Sequence, residues 1–300
     1  MRAAVVRTFG GPEAVEIAEV PVPEPRAGQV RIKVAAGALN PVDAGVRAGL
    51  FGGAGKTLGL GWDVAGTVDA VGVAAAWQVG DPVVALVPGV ADPLGAHAEY
   101  VVVGAGAVAK APAGVDAVHA GTLPLNGLTA LQALDLLDLA PGGSLLVTGA
   151  AGAVGGFAVQ LAAHRGIEVT GQARAGDEEL VRSLGAARFT AGADAAVAAP
   201  GGVDAVLDAA VLGEPALEWV RDGGAYVGVR PGAHPGPVRG VRPGSVQVTA
   251  DGAQLAELVR LVEEGVLTLR VAETYALEEA AKAHARLAEG GLRGRLVLLP

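Results

Sequence analysis

Apolar and polar positions alternate along the first third of the chain in short runs that end at Gly or Pro. This pattern, without a long helical pattern between the runs, is typical of β-strands. In residues 30–34 the apolar positions alternate with Arg31 and Lys33, so one face of that strand is expected to be buried and the other to face water. Strands are predicted at residues 3–6, 14–20, 29–36, 64–71, 82–86 and 99–103. An antiparallel β-rich domain is therefore expected.

A different pattern begins after residues 112–122, where apolar strands alternate with amphipathic helices. Helices are predicted at residues 123–139 and 178–184, and strands at residues 145–147, 168–171, 188–190, 203–208, 225–229 and 245–249. This alternation predicts an α/β domain with a doubly wound parallel sheet, of the Rossmann type, in residues 123–270. After a helix at 254–264, the segments 271–275 (strand), 277–288 (helix) and 295–299 (strand) are expected to rejoin the β-rich domain, which then comprises residues 1–122 and 271–300.

The glycine-rich segment SLLVTGAAGAVGGFAVQLAAHRG, residues 144–166, joins an apolar strand to an amphipathic helix. Such a turn is typical of dinucleotide binding, because the amides at a helix start provide positive potential for a diphosphate. Gly152 permits close approach of the backbone to a pyrophosphate, and Gly155 permits tight packing of the helix. Ala150 stands where the first glycine of G-x-G-x-x-G would be, so a turn without a ligand, in a chain with 47 glycines, is the alternative. The predicted cofactor-binding positions are Gly149, Ala150, Ala151, Gly152, Ala153, Val154 and Gly155.

The end of the second strand of this domain, Gln172-Ala173-Arg174, distinguishes between the two nicotinamide cofactors. An acid at this place would bond the ribose 2′-hydroxyl of NADH, whereas a cation suits the 2′-phosphate of NADPH. The run has no carboxylate, and Arg174 can pair bidentately with a phosphate, so NADPH is predicted. The alternative is that Arg174 is a solvated cation that balances Asp177 and Glu178.

Composition and charge argue against several other classes of protein. The formal net charge is -9 and no run of Lys or Arg occurs, which disfavours nucleic acid or an anionic membrane as a partner. No apolar run approaches the roughly 20 residues of a membrane span, and no export signal is visible, so a cytoplasmic location is expected. The chain has no Cys, and its five His lack metal-ligand spacing, so no metal site is predicted.

The order and spacing of several motifs resemble the zinc-independent quinone oxidoreductases of the medium-chain dehydrogenase/reductase (MDR) superfamily. The motifs are MRAAVVRTFGGPEAVEIAEVPVPEP at residues 1–25, ALNPVDAGVRAGL at 38–50, GWDVAGTVDAVG at 61–72, VGDPVVAL at 79–86, LPLNGLTALQAL at 123–134 and GLRGRLVL at 291–298. The resemblance implies a GroES-like catalytic domain and a Rossmann domain, with NADPH in a cleft between them. It also implies hydride transfer to a quinone or α,β-unsaturated carbonyl, and a homodimer. Gly61-Trp62-Asp63 stands where zinc-bearing relatives have Gly-His-Glu, which agrees with the missing cysteines.

Three side chains are candidates for catalysis, Asn40 on the resemblance and His97 as a departure from it, with Asp43 in the same motif as Asn40. Asn40 would bond the acceptor oxygen or the nicotinamide carboxamide, and the alternative is an Asx turn before Pro41. Asp43 would orient that loop or relay a proton, and the alternative is a helix cap or a surface carboxylate. His97 stands where relatives usually have an aromatic residue and would act as an acid, and the alternative is a structural histidine on a strand.

Four more residues are predicted to contact the cofactor. Asn126 and Thr129 lie in a segment that by resemblance passes close to the nicotinamide, and capping or packing within a helix is the alternative for Thr129. Arg230 lies in a Pro- and Gly-rich stretch after the fifth strand of the nucleotide domain, and a solvated loop charge is its alternative. Arg295 replaces the commoner lysine of the family and keeps its charge.

The main hypothesis is an NADPH-dependent, metal-independent reductase of a small carbonyl or quinone substrate. One alternative is an NADPH-binding sensor or structural protein without turnover. It arises because Leu50-Phe51 occurs where relatives often carry a tyrosine proton donor. Another alternative is a tailoring enzyme of a biosynthetic pathway that uses the same fold for a different reaction.

Overall fold

The computed structural model describes residues 1–87, 89, 94–192 and 201–300, and the chain divides into two compact units. The first unit comprises Met1–Leu125, Thr249–Glu263 and Leu269–Pro300. The second unit comprises Asn126–Val248 and Glu264–Thr268. No helix in the described part of the chain is long and apolar enough to cross a membrane.

The first unit contains two β-sheets. The strands of this unit are β1 (Arg2–Val6), β2 (Glu16–Glu19), β3 (Gln29–Leu39), β4 (Leu58–Gly59), β5 (Asp63–Val71), β6 (Pro82–Leu86), β7 (Tyr100–Gly104), β8 (Val108–Lys110), β15 (Val271–Ala276) and β16 (Arg295–Leu299). A three-stranded antiparallel sheet has the order β2-β1-β4, and a seven-stranded sheet has the order β15-β16-β3-β5-β6-β8 with β7 paired to β3. Its helices are α1 (Pro41–Arg47), α2 (Ala117–Ala120), α6 (Gly252–Glu263) and α7 (Ala280–Glu289).

Strand β3 shows why the alternating pattern forms a sheet. Val30, Ile32 and Val34 are buried in one hydrophobic cluster, whereas Arg31 and Lys33 remain accessible. The strand continues beyond the predicted residue 36 to Leu39, because β16 pairs with its last part, Leu296 opposite Leu39. The expected GroES-like β-rich fold is confirmed.

The second unit is a six-stranded parallel sheet with helices. The strands are β9 (Ser144–Thr148), β10 (Glu168–Ala173), β11 (Arg188–Ala191), β12 (Val203–Asp208), β13 (Val220–Gly228) and β14 (Arg242–Ser245). The helices are α3 (Pro124–Leu137), whose first two residues belong to the first unit, α4 (Ala153–His164) and α5 (Glu178–Ser183). The order β11-β10-β9-β12-β13-β14 is the 3-2-1-4-5-6 order of a Rossmann sheet. The predicted doubly wound sheet is confirmed.

One predicted strand is displaced in the structure, and one predicted helix is grouped with the other unit. The strand predicted at residues 245–249 instead spans Arg242–Ser245 and includes Pro243 and Gly244. An edge strand tolerates proline because one side of its backbone needs no ladder partner. The helix α6 lies in the first unit, although the sequence-based boundary at residue 270 placed it in the nucleotide domain. It packs so closely on β8 that a Cβ on Gly252 would lie 2.6 Å from the carbonyl oxygen of Val108.

Candidate active site

The turn between β9 and α4 lies at the carboxyl edge of the second unit's sheet, where the strand order reverses between β9 and β12. Ligands of doubly wound folds bind at such a reversal. Gly149 has a φ of +59°, and a Cβ on Gly155 would lie 2.2 Å from the carbonyl oxygen of Gly149. The left-handed turn and the close helix approach therefore require glycine at both positions.

The start of α4 suits a diphosphate. Gly152 is the N-cap and is exposed, no side chain caps the helix, and the first turn contains no acid. The amides of Ala153 and Val154 lie in that first turn, where N–H groups have no acceptor within the helix. Two neighbouring residues shape the turn: Ala151 is buried, and the amide of Ala150 donates to the carbonyl oxygen of Gln172 at 3.0 Å. The residues present therefore fit the diphosphate of a dinucleotide.

The end of β10 carries a polar and a charged residue beside this turn. Gln172 accepts from the amide of Gly149 at 3.3 Å and donates through Nε2 to the carbonyl oxygen of Gly192 at 2.9 Å. Arg174 is exposed, and it makes no ion pair within residues 1–87, 89, 94–192 and 201–300. Glu178 pairs with Arg182 at 2.8 Å. Glu178 is therefore engaged with Arg182, and the exposure of Arg174 is compatible with both the phosphate partner and the solvated cation.

A buried network connects β9, β12 and β13 at the same edge. The carboxylate of Asp208, at the end of β12, accepts from the hydroxyls of Thr148 at 2.6 Å and Tyr226 at 2.7 Å. It also accepts from the amide of Gly213 at 2.8 Å, and the hydroxyl of Thr148 accepts from the amide of Ala210 at 3.0 Å. Burial and the hydrogen bond to Asp208 raise the pKa of Tyr226. The network fixes both ends of the loop that follows β12.

In the first unit, Asn40 and Asp43 form a capping box at the start of α1. The backbone amide of Asn40 donates to Asp43 at 2.8 Å, and the amide of Gly61 donates to the other carboxylate oxygen at 2.8 Å. Asp43 is completely buried, and this burial raises its pKa. The geometry of Asp43 is that of a helix-capping carboxylate and not that of a surface carboxylate.

The side-chain amide of Asn40 is held on both sides. Its Nδ2 donates to Asp63 at 2.7 Å and to the carbonyl oxygen of Ala38 at 3.1 Å, and its Oδ1 accepts from Arg295 at 2.7 Å. Both N–H bonds are therefore used inside the unit, and Asn40 is buried. The prediction that Asn40 donates to an acceptor oxygen does not fit this arrangement.

Asp63 and Arg295 complete this cluster. Asp63 accepts from the amide of Leu125 at 2.6 Å as well as from Asn40, and burial raises the pKa of Asp63 to about 7. Arg295 also donates to the carbonyl oxygen of Leu39, and burial lowers its pKa, a shift that its attraction to Asp63 and Asp43 opposes. The guanidinium expected to reach the cofactor is thus buried among partners of the first unit.

His97 is buried, and it lies in a bend before β7 and not on a strand. Its Nε2 lies 3.1 Å from the carbonyl oxygen of Ala38, which requires the proton on Nε2, and its backbone amide donates to Leu60 at 2.8 Å. Nδ1 has no protein partner among the described residues. The geometry favours the structural alternative for His97.

Besides the glycine turn and Arg174, three more predicted cofactor residues lie in the second unit. Asn126 and Thr129 are buried on α3, and Arg230 is exposed just beyond the carboxyl end of β13. Sequence reasoning did not single out Asp208 or Tyr226. An aspartate that directly ends an apolar parallel strand is the signal that would have found Asp208.

The described residues contain no group of three or more His, Asp or Glu that could hold a metal ion. Both carboxylate oxygens of Asp63, in the run Gly61-Trp62-Asp63, accept from N–H donors instead.

Comparisons with known proteins agree with the folds of both units. Residues 26–113 match the family model of the alcohol dehydrogenase GroES-like domain, and residues 178–298 match the model described as zinc-binding dehydrogenase. The chain is 33% identical to a quinone oxidoreductase of Pseudomonas aeruginosa, covering 97% of each chain. It is 35% identical to a chloroplastic NADPH-dependent alkenal/one oxidoreductase of Arabidopsis thaliana, covering 88% of this chain and 70% of that one. The solved quinone oxidoreductase of Coxiella burnetii superposes with a TM-score of 0.88 at 28% identity, covering 100% and 99% of the two chains.

The Rossmann sheet with its glycine turn and the GroES-like unit define a dehydrogenase of the MDR superfamily. Within that superfamily, the chain belongs to the quinone oxidoreductase family.

Proposed function

We propose that this protein is an NADPH-dependent oxidoreductase that transfers hydride to a quinone or an α,β-unsaturated carbonyl compound without a metal ion. The observation that carries the proposal is the start of α4 at the strand reversal, where the first turn contains no acid, together with the exposed Arg174 after the neighbouring strand β10. The relatives named as quinone oxidoreductase and as NADPH-dependent alkenal/one oxidoreductase support the same reaction class.

Arg174 supports NADPH rather than NADH. It follows β10, the strand whose end meets the adenosine ribose in Rossmann domains, and no acid replaces it in Gln172-Ala173-Arg174. Its guanidinium is exposed and is not engaged with Glu178. A 2′-phosphate would therefore find a bidentate cation there.

Arg230 stands on the other side of the glycine turn. It follows β13, and the order β10-β9-β12-β13 places three strand intervals between the two arginines, or about 14 Å at the usual strand spacing. This separation fits a dinucleotide that crosses the strand reversal. We assign Arg230 to the half of the cofactor that lies beyond the diphosphate.

Bound NADPH supplies a hydride that, with one proton from solvent, converts an enone to the saturated carbonyl or a quinone to the hydroquinone. The chain's own residues hold the diphosphate at Ala153 and Val154 and the 2′-phosphate at Arg174. In the first unit, the capping box of Asn40 and Asp43 and the contacts of Asp63 fix the start of α1 and strand β5. These hydrogen bonds give the first unit a fixed shape at the start of α1.

Metal independence rests on two observations. The chain has no Cys, and Asp63 is surrounded by N–H donors, with the attraction of Arg295 also acting on it. A cation bound at Asp63 would have to displace these donors.

We also propose that the second unit is the cofactor domain and the first unit the catalytic domain, and that the protein is a homodimer. A cytoplasmic location stays a prediction, as does the expectation that nucleic acid and membranes are not partners.

The cofactor assignment is tested by measuring the dissociation constants of NADPH and NADH for the wild type and for Arg174→Ala. We expect the variant to lose about tenfold to a hundredfold in NADPH affinity and little in NADH affinity, because one charge-assisted phosphate pair is removed. Arg188→Ala is the matched control, an exposed arginine at the start of the neighbouring strand β11, and it should change neither constant.

Three outcomes of this test are informative. Failure of the wild type to bind NADPH at millimolar concentration would contradict the proposal. Tight binding without oxidation of NADPH by any quinone or enal in a panel would favour the sensor alternative. Oxidation by a single elaborate acceptor would favour the tailoring enzyme.

A further inference from the structure

The C-terminal segment of the chain holds helix α1 at both ends. At the start of α1, Arg295 of β16 donates to the side chain of Asn40 at 2.7 Å. At the other end, Nη1 of Arg47, the last residue of α1, lies 3.2 Å from Nδ1 of His284 in α7. These contacts join residues 255 and 237 positions apart. The position of α1 therefore depends on two bonds to the end of the chain.

The contact between Arg47 and His284 is buried. Arg47 is 9% exposed and His284 is 1% exposed. A buried arginine is usually paired with a carboxylate, but Arg47 forms no ion pair within the described ranges of the chain. Glu13, in the turn Pro12–Ala14, attracts the guanidinium only from a distance. Among the described side chains, His284 is thus the hydrogen-bond partner on which Arg47 depends.

The chemistry of the two side chains determines where His284 carries its proton. A guanidinium has only N–H donors, so Nδ1 of His284 accepts from Arg47 and the proton lies on Nε2. Nδ1 is then the only ring atom that can take a second proton. An imidazolium would offer Arg47 no acceptor, and it would place two positive groups 3.2 Å apart inside the protein. The contact therefore requires a neutral His284.

The charged groups on the elements that pack against α7 are engaged elsewhere. Glu13 accepts from a backbone amide beside its own turn, and β3 has no charged side chain in residues 34–39, whose last part pairs with β16. Other charged groups there form these pairs: Asp43 with the amides of Asn40 and Gly61, Arg295 with Asn40, Arg286 with Glu273 and Glu289, Glu278 with Arg2, and Glu279 with Lys282. No carboxylate in the described part of the chain bonds His284.

Burial and nearby positive charge both oppose the protonation of His284. Burial is the larger cause, and repulsion from His97 and Arg47 adds to it, so the pKa of His284 is lowered from 6.5 to about 3. The two histidines of the second unit, His164 and His234, are exposed. The buried histidines of the described chain, His97 and His284, both lie in the first unit. Acid is therefore expected to act on the first unit before the second.

We propose that the contact between His284 and Arg47 is a pH-sensitive switch, in which protonation of His284 at Nδ1 breaks the contact and releases α7 from the end of α1 while the second unit stays folded. The proton comes from solvent, and only hydrogen bonds change. The switch does not depend on the proposed reaction, so the two are tested separately.

The sign of the pH dependence follows from the two states of His284. With the contact open, the imidazole is hydrated and its pKa returns toward 6.5, whereas with the contact closed the pKa is about 3. The closed state is therefore fully favoured above about pH 6.5, and this advantage is lost as the pH falls toward 3. In this range the equilibrium constant for opening rises about tenfold for each pH unit. Asp63 titrates in the opposite sense, so the informative quantity is the difference between the wild type and a His284 variant.

Hydrogen exchange of the full-length protein at pH 7.5 and pH 4.5 tests the switch. Exchange rates are corrected for the intrinsic effect of pH, and α4 in the second unit serves as the internal reference. In the wild type, we expect the protection of amides in α7 and in the last turn of α1 to fall about hundredfold at pH 4.5. The protection of α4 should change by less than about threefold.

His284→Gln separates the titration from the contact. The glutamine offers Arg47 a carbonyl oxygen as acceptor and takes no proton in this pH range, so the acid-induced fall in protection of α7 should disappear. His119→Gln is the matched control, because His119 is a more accessible histidine of the same unit that pairs with Asp116. Its acid response should equal that of the wild type.

Nitrogen-15 NMR of the imidazoles gives a second measurement, which uses the wild type and does not depend on how a variant folds. We expect His284 to show a neutral ring with the proton on Nε2 from pH 7.5 down to about pH 5. The charged form should appear only together with the loss of protection in α7.

Four results would overturn the inference. A His284 ring that carries its proton on Nδ1 could not accept from Arg47. A ring that titrates near pH 6.5 with α7 still protected would show that the contact tolerates the charge. An equal acid response in His284→Gln would place the titrating group elsewhere, for example at His97. Loss of protection in α4 in step with α7 would show that acid unfolds the whole chain and that the contact is not a local switch.

Discussion

The two units each gather polar side chains, but they use them in opposite ways. In the first unit, Asn40, Asp63 and Arg295 are buried and donate to or accept from one another and the backbone. At the carboxyl edge of the second unit, the helix start at Gly152 has no side-chain cap and Arg174 is exposed. Interior hydrogen bonds of the first kind fix a shape, whereas the exposed guanidinium of Arg174 is accessible to a ligand. Buried polar side chains are often assigned to catalysis, but in the first unit these side chains stabilise the fold.

The largest expected effect concerns the buried guanidinium of the first unit. Arg295→Met leaves Asn40 without its donor and Asp63 without a counter-charge, so we expect the free energy of unfolding to fall by about 3–5 kcal/mol. Denaturant titration measures this change. Arg293→Met, an exposed neighbour, should change it by less than about 0.5 kcal/mol.

The variant Arg295→Lys sharpens the same comparison. It keeps the charge and should fold, so its NADPH affinity can be measured directly. An affinity equal to that of the wild type would agree with an interior role. A tenfold loss of NADPH affinity with unchanged stability would instead show that Arg295 contacts the cofactor. The polar cluster of the first unit would then bind a ligand, as the edge of the second unit is proposed to do.

The next effect concerns the glycine turn. Gly155→Ala forces a Cβ to within 2.2 Å of the Gly149 carbonyl oxygen, so α4 must shift, and we expect a loss of about 2–3 kcal/mol of stability together with NADPH binding. Gly152→Ala is the control for stability, because its Cβ would lie 3.1 Å from the same oxygen. It should fold almost normally and still weaken NADPH, since the added methyl group stands where the diphosphate approaches.

The pH dependence of stability tests the burial of Asp63. Its pKa in the folded protein is about 7, above the ordinary 3.8, so the folded state binds more protons than the unfolded state between these values. The contribution of Asp63 to stability is therefore greatest below about pH 4 and falls as pH rises to about 7, by roughly 1 kcal/mol per pH unit. In the Asp63→Asn variant, the decrease of stability with pH that Asp63 contributes between about pH 4 and pH 7 should disappear. An identical slope in the variant would show that Asp63 ionises freely.

The smallest effect concerns the Asp208 network. Tyr226→Phe removes a hydroxyl that donates to the buried carboxylate at 2.7 Å, and we expect a loss of about 1–2 kcal/mol in the free energy of unfolding. Tyr275→Phe removes a similar bond of 2.6 Å to the more accessible Glu273 and should cost less. Equal losses would mean that the network at the cofactor edge is no more rigid than the surface.

Much of the fold follows from local patterns. The period of apolar positions in residues 30–34 and the strand–turn–helix at 144–166 each depend on neighbours in sequence, and both elements form as expected. The edge strand β14 was misplaced because Pro243 and Gly244 usually end a strand, and only its place at the edge of the sheet permits them there.

The polar cluster of the first unit could not be predicted in the same way. The bond from Arg295 to Asn40 joins residues 255 positions apart, and the bond from Asn40 to Asp63 joins residues 23 apart. The sequence Asn40-Pro41 indicates a turn. Only the folded structure shows that both N–H groups of the Asn40 side chain already donate hydrogen bonds. In contrast, the glycine turn and Arg174 were recognisable because their chemistry lies within about 20 residues of one another.

The pairing of β16 with β3 has a consequence for synthesis. All six strands of the second unit have left the ribosome once Ser245 has emerged, so that parallel sheet is complete in sequence while the chain is still growing. The first unit must wait for Arg295–Leu299, which follow all of these strands in sequence, before its larger sheet and the cluster around Asn40 can close. The first unit has strands on both sides of the second unit in sequence, so its larger sheet is completed after the parallel sheet has been synthesised.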